Sequence, residues 1–343
     1  MNTETTLMRK EILEIPEAAE SLLSDGLASI QSAARDLRAV GPLFITTVAR
    51  GSSDHASTLV KYACELSLGL PVASIGPSVA SIFAAPLKLA NSASIIISQS
   101  GKSPDIVKLA QAATEQGALS IAITNEISSP LAAACKHTIH IKAGLEASVA
   151  ATKTFVTSAL AGLAVLAYWK QDDALIAAIH ALPGHLAQAV NHDWPTLRSA
   201  LKDRDSLYVL GRGPSLAISN EAALKFKETC QLHAESYSSA EVLHGPVSIV
   251  EPDYPVLAMV SQDAAEDSIN AVADQLAGQG ASVFATSEKV KQANCLQVVR
   301  TDHPLTDPLS LVVSFYAFVE KLALRRGGNP DKPRNLKKVT ETV

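Results

Sequence analysis

With 343 residues the chain is long enough for two domains, each able to bury an ordinary core. Its 29 Lys and Arg against 34 Asp and Glu leave a net charge of −5, which supplies no basic field for nucleic acid or an anionic membrane. A hydrophobic share of 47% with 18% charged residues excludes a disordered, collagenous or coiled-coil chain.

The apolar runs are Ala-rich and short, and the longest, over 158–169, is below the ~18–20 residues of a membrane span. Residues 1–6 lack the basic start and apolar block of a secretion signal, so a soluble, cytoplasmic protein is expected. Cys64, Cys135, Cys230 and Cys295 are scattered, with no paired spacing and no His at ligand distance. Neither a disulfide framework nor a zinc site is indicated, and reduced packing cysteines are expected.

In chain order, a charged lead-in helix over 9–23 precedes β-branched strands over 43–49, 72–75, 94–98, 119–124 and 138–142, with helices such as 57–68 and 104–116 between them. That rhythm predicts parallel pairing with right-handed crossovers, a doubly wound α/β domain. The segment 174–204 contains Pro183-Gly184 and Asp193-Trp194-Pro195, breakers that suit an interdomain link. The plan then repeats, with strands over 207–210, 256–260, 283–285 and 296–299 and helices over 218–230, 267–277 and 307–324.

Arg50-Gly51-Ser52-Ser53 matches Arg212-Gly213-Pro214-Ser215, and Ile96-Ile97-Ser98-Gln99 matches Met259-Val260-Ser261-Gln262, at nearly the same separation. Each match falls at the carboxyl end of a predicted strand, which points to internal duplication.

In open α/β sheets ligands bind at strand carboxyl ends, where helix N-termini direct free N–H groups at an anion. Ser98, Gln99, Ser100, Gly101 and Ser103 follow a strand and open a helix, so they can cradle one phosphate, although a Ser-rich helix cap is an equal account of the segment alone. Ser52 and Ser53 add a second serine turn on the same edge, which favours the anion. The duplicate carries Asp263, Glu266 and Asp267 there, and these would repel a phosphate.

The second half offers other chemistry. Lys225 and Glu228 share a helix face, and His244 sits on a tight Gly245-Pro246 turn. Taken alone, these are a solvated ion pair and a surface imidazole. Together they are parts for moving a proton beside a carbonyl: a carboxylate to carry it, an ammonium to stabilise an enolate and an imidazole to open a sugar ring. The polar end over 331–338 is either a disordered tail or one that folds over a site and brings in a lysine.

These motifs resemble the sugar isomerase (SIS) domain family in its tandem form, over nearly the whole chain. The likeness is greatest to the isomerase half of glutamine–fructose-6-phosphate aminotransferases, followed by SIS-type glucosamine-6-phosphate deaminases. It implies an α/β fold of two tandem SIS domains, each a doubly wound, mainly parallel five-stranded sheet flanked by helices. The expected divisions are a lead-in helix over 1–34, a first SIS domain with the phosphate site over 35–173, linker helices over 174–204, a catalytic second SIS domain over 205–326 and a tail over the active site from 327 to 343.

By the resemblance, Ser52, Ser53, Ser98, Gln99, Ser100 and Ser103 bind phosphate, and the segment 146–153, with Glu146 and Val149, contacts the sugar; Ala151 stands where the family has Ser. Glu228 shuttles a proton, Lys225 supplies the ammonium, His244 opens the ring in the neighbouring subunit's site, and Lys338 is the Schiff-base lysine. A homodimer sharing His244 is therefore implied, with no metal and no cofactor, a small sugar phosphate as ligand and no nucleic-acid or membrane partner.

The aminotransferases begin with a nucleophilic cysteine and a glutaminase domain, whereas Asn2 stands here and the isomerase module starts at once. The expected activity is therefore deamination of glucosamine 6-phosphate to fructose 6-phosphate and ammonia. A fructosamine-6-phosphate deglycase, a galactosamine-6-phosphate deaminase/isomerase and a non-catalytic sugar-phosphate sensor are the alternatives.

Overall fold

The computed structural model describes residues 5–338, which fold as two compact units. The N-terminal unit holds 17–146 and 153–181; the C-terminal unit takes the chain up to Pro16, the short segment Ala147–Thr152, and Leu182–Lys338.

The chain opens with helices α1 (Leu7–Leu13), α2 (Ile15–Asp25) and α3 (Leu27–Val40). Strand β1 (Phe44–Val48), α4 (Ser52–Leu68), β2 (Val72–Ser74), α5 (Ser78–Ser81), β3 (Ser92–Ile97), α6 (Pro104–Glu115), β4 (Leu119–Thr124), α7 (Pro130–Ala134), β5 (His137–His140) and α8 (Lys153–Lys170) follow. Then come α9 (Asp173–Ala189), α10 (Pro195–Ala200), β6 (Ser206–Gly211), α11 (Pro214–Cys230), β7 (His233–Ser238), β8 (Pro255–Ala258), α12 (Glu266–Gly278), β9 (Ser282–Ala285), β10 (Asn294–Cys295) and α13 (Asp307–Arg325).

The two sheets share one topology. The first is ordered β2-β1-β3-β4-β5 and the second, read from its β7 edge, β7-β6-β8-β9-β10; every pairing is parallel. Even the turn after the leading strand is the same, with Gly51 at φ 57°, ψ −134° and Gly213 at φ 59°, ψ −136°. That left-handed backbone suits glycine, so the expected duplication is present in topology as well as in sequence. β3 is buried at all six positions and α8 at almost every position, as strands covered on both faces and a helix apolar all round must be.

Several expectations need correction. The single lead-in helix is broken at Glu14, just before Pro16, which is tolerated only in a first turn. Gly26 then separates α2 from α3, a helix missed although Ile30, Ala33, Ala34 and Leu37 bury one stripe. α9 runs straight through Pro183-Gly184 instead of breaking there; its stripe of Leu175, Ala178, Ile179, Leu182, Leu186 and Ala189 is buried, and that packing outweighs one lost helix bond. β7, absent from the expected strands, is a polar edge strand with weak alternation. The last strand is the short edge Asn294–Cys295 and not 296–299, although the Leu296 amide still donates to the Ala285 carbonyl at 2.8 Å.

Among the described residues no helix is long and apolar enough to cross a membrane, and no cluster of His, Cys, Asp and Glu has the makings of a metal site.

Candidate functional site

The serine turns of the N-terminal unit end β1 and β3, neighbours whose pairing runs to Val48 opposite Ile96. Because β1 leads outward to β2 on its other side, this is the topological switch point of the sheet, where α/β folds hold ligands. Ser52 and Ser53 lie in the first turn of α4 and Ser103 at the N-cap of α6.

The loop over 98–103 is held from its neighbours. The Gln99 carbonyl accepts from the Asn125 amide at 3.1 Å and Thr124 Oγ1 at 3.2 Å, and the Gly101 carbonyl accepts from the Leu131 amide at 3.1 Å. Gly101 has φ 60°, and a Cβ there would lie 2.2 Å from Ser129 Oγ, so only glycine fits. Ser98 Oγ accepts the Gly101 amide at 3.2 Å, which shapes the loop. The Ser103 hydroxyl caps nothing in α6. A purely helix-capping account of this serine therefore fails.

In the duplicate, the amide of Gln262, the counterpart of Gln99, donates to Asp307 Oδ2 at 2.9 Å. Arg300 Nη1 binds the same oxygen at 2.7 Å, and the Thr301 amide reaches Oδ1 at 3.2 Å. An internal carboxylate thus engages this loop of the duplicate. Glu266 is tied to Ser287 and Lys289, and burial raises the pKa of Asp263, helped by Asp307 and Glu266. The expected carboxylates Asp263 and Glu266 are thus joined there by Asp307, which sequence reasoning did not single out.

On α11 of the C-terminal unit, Lys225 is wholly buried between two carboxylates, with Nζ 3.0 Å from Glu221 Oε1 and 2.7 Å from Glu228 Oε2. The solvated ion pair is thereby excluded. Burial by itself pulls the Lys225 pKa down, but Glu221 and Glu228 outweigh it and the ammonium is held above its ordinary value. A buried charge cluster gains little net stability after desolvation, so its presence calls for a chemical role. Glu221 is buried, whereas the Glu228 side chain is 19% exposed, so Glu228 is the end of the cluster that a ligand can reach.

His244 closes a 3₁₀ turn over Glu241–His244, on the surface. Tyr208 holds that turn by donating to the Pro246 carbonyl at 3.0 Å. The imidazole makes no hydrogen bond among the described residues, and no contact brings it to Lys225 or Glu228 within this chain.

Lys338 Nζ donates to the Ser148 carbonyl at 2.7 Å, so the tail and the expected sugar loop meet. Glu11 on α1 holds that loop by accepting from Ala147, Ser148 N and Ser148 Oγ, and Asp331 caps α1 by accepting the Leu7 and Met8 amides at 2.8 Å. Val149, half-buried, directs its amide toward the Asp331 carbonyl at 3.5 Å. Glu146, in the N-terminal unit, accepts from Thr154 N at 3.1 Å and Thr154 Oγ1 at 2.7 Å, capping α8. Residues 339–343 of the expected tail lie outside the described residues.

Sequence reasoning passed over Glu221 and Tyr316. Glu221 lies four residues before Lys225, the spacing of a favourable helix pair, and could have been found that way. Tyr316 on α13, which donates to Glu221 Oε1 at 3.0 Å, has no signal in the sequence.

The fold is thus a duplicated, doubly wound α/β architecture with serine-rich turns at the switch point of one copy and a buried carboxylate–ammonium set in the other. The chain belongs to the SIS domain family, whose model matches residues 44–168 and 200–303. A glutamine–fructose-6-phosphate aminotransferase (isomerizing) from Pyrobaculum aerophilum is 34% identical over 98% of this chain, which covers 57% of that protein. The chain thus spans little more than half the length of the curated relatives it matches. A crystal structure described as a candidate phosphosugar isomerase from Silicibacter pomeroyi is 59% identical, with a TM-score of 0.93 over 95% of this chain and 100% of that one. A glucosamine-6-phosphate deaminase from Thermotoga maritima shares the fold, with a TM-score of 0.80 and 18% identity over 98% of this chain and 100% of that one. The named relatives are enzymes of sugar phosphates, which supports an enzyme role.

Proposed function

We propose that the chain is an isomerising glucosamine-6-phosphate deaminase, which converts glucosamine 6-phosphate and water to fructose 6-phosphate and ammonia. The observation that carries this reading is the carboxylate of Glu228, ionically fixed by buried Lys225 yet reachable from solvent. A base that must take a proton from one carbon and return it to the next needs that combination of rigid placement and access.

His244 opens the pyranose to its aldehyde form. Glu228 takes the proton from C2, leaving an enaminol, and returns it to C1; the nitrogen then remains on C2 as an imine. Water adds to C2 and ammonia leaves, giving the ketose. Lys225 keeps Glu228 in place and offsets the negative charge that develops. Lys338 offers a second route at C2, in which its amine displaces ammonia and water then releases the lysine. Ser98, Gln99, Ser100 and Ser103, with Ser52 and Ser53, hold the phosphate. His244, exposed and without a hydrogen bond among the described residues, fits a role in a second subunit's site, and a homodimer is the proposed assembly.

The names of the curated relatives favour a second reading, the isomerase half of an aminotransferase. Ammonia release without glutamine separates the two. The test is an ammonia assay against glucosamine 6-phosphate, galactosamine 6-phosphate and fructosamine 6-phosphate. Glucosamine 6-phosphate is expected to be the substrate, and Glu228→Gln should lower its turnover about 10²–10⁴-fold. Solvent deuterium incorporation at C1 should fall in step. Exchange at the parental rate in Glu228→Gln would mean that another group carries the proton.

A further inference from the structure

Arg50 lies between β1 and the first serine turn, and its guanidinium crosses to the first turn of α6. Nε is 2.6 Å and Nη2 is 2.5 Å from Asp105 Oδ2. Asp105 is buried and its Oδ1 accepts the Ile106 amide at 2.8 Å, whereas the Arg50 side chain remains 49% exposed.

A buried carboxylate two residues after Ser103 places negative charge close to an expected anion, and it is costly unless paired. Arg50 offsets that charge and ties together the two turns that flank the switch point between β1 and β3. The duplicate provides an internal comparison. Arg212 occupies the place of Arg50, but Ser268 stands where Asp105 would be, and its hydroxyl donates to the Ala265 carbonyl at 2.8 Å within its own helix. The pair therefore accompanies the cradle and not the turn. With Nε and Nη2 on Asp105, the guanidinium is fixed in orientation, and its fork matches a phosphate in a way that an ammonium does not.

We infer that Arg50 is a phosphate-binding residue of the cradle, oriented by Asp105 so that Nη1 and the exposed edge of the fork meet the substrate's phosphate. The inference rests on the reading of this site as a phosphosugar site.

The test uses a hexitol 6-phosphate, which has no carbonyl to react, and the unphosphorylated hexitol as control, titrated calorimetrically into the full-length protein. Arg50→Ala should weaken binding of the hexitol phosphate about 10- to 100-fold, as loss of a charge-assisted bond does, and should also lower Tm because buried Asp105 loses the Arg50 guanidinium. Arg50→Lys should recover part of that loss. In turnover of glucosamine 6-phosphate the same variants should raise KM and leave kcat nearly constant. Parental affinity in a folded Arg50→Ala protein overturns the inference. So does a loss that Arg50→Lys does not relieve and that tracks a fall in Tm, since that identifies a purely structural tie. If Arg50→Ala does not fold, Arg50→Lys decides alone: weaker hexitol phosphate binding at parental Tm supports the inference and unchanged binding overturns it. Because the hexitol phosphate is not turned over, failure of the deaminase assignment leaves this measurement intact.

Discussion

Tyr316 on α13 donates its phenol hydrogen to Glu221 Oε1 at 3.0 Å, and Lys225 Nζ approaches that same oxygen at 3.0 Å. The charge cluster of α11 is thereby tied to a second helix, and the cation at its centre answers for two carboxylates at once.

Removing that cation should be costly. Lys225→Met leaves Glu221 and Glu228 without their ammonium, and breaking a buried ion pair in this way typically costs about 3–5 kcal/mol. The pH dependence has a definite sign. In the parent, Lys225 has a raised pKa in the folded state, so its contribution is complete below the ordinary lysine value and is lost as pH rises through the folded one. In Lys225→Met the wholly buried Glu221 carboxylate is left without its ammonium, and burying a charge without its counter-ion costs more than burying the neutral acid, so urea-unfolding stability should recover toward the parent's as pH falls from neutral to mildly acid. A deficit that is constant across that range would show that charge is not the cause.

The serine cradle makes a separate prediction. Ser100→Asp sets a carboxylate against the phosphate and should raise KM steeply, with a smaller effect on kcat. The same KM in the variant would remove residues 98–103 from the phosphate site.

Subunit sharing can be tested by complementation. If His244 completes a neighbouring site, mixing His244→Ala with Glu228→Ala protein yields hybrid dimers with one intact site, and about a quarter of parental activity should return after random exchange. A fully active monomer, or no recovery despite proven exchange, would refute the arrangement.

For Lys338, borohydride added with fructose 6-phosphate should trap an imine as a covalent adduct on this residue. The 2.7 Å bond to the Ser148 carbonyl already holds the amine at the loop expected to meet the sugar. No adduct, with near-parental turnover in Lys338→Ala, would reduce Lys338 to a contact residue. An adduct on another lysine would reassign the role.

The duplicated α/β plan was legible in the sequence because parallel strands buried on both faces read as apolar runs, and because the Arg-Gly turn and the Ser-Gln step recur in both halves. The proposal of a cradle at Ser98 to Ser103 has a local basis: hydroxyls, an amide and a glycine directly after a strand are the parts such a site needs. The polar edge strand β7 and the helix through Pro183 were not legible, since an edge strand has little alternation to show and burial of a stripe can override a breaker. What only the tertiary structure decided was the fate of charges. Lys225 and Glu228 read equally well as solvated residues until packing against α13 buried the lysine and brought Tyr316 to Glu221. Asp307 accepts the Gln262 amide across 45 positions, and Arg50 reaches Asp105 across 55 positions. Desolvation and long-range pairing depend on which surfaces the fold brings together, and local sequence pattern carries no record of that.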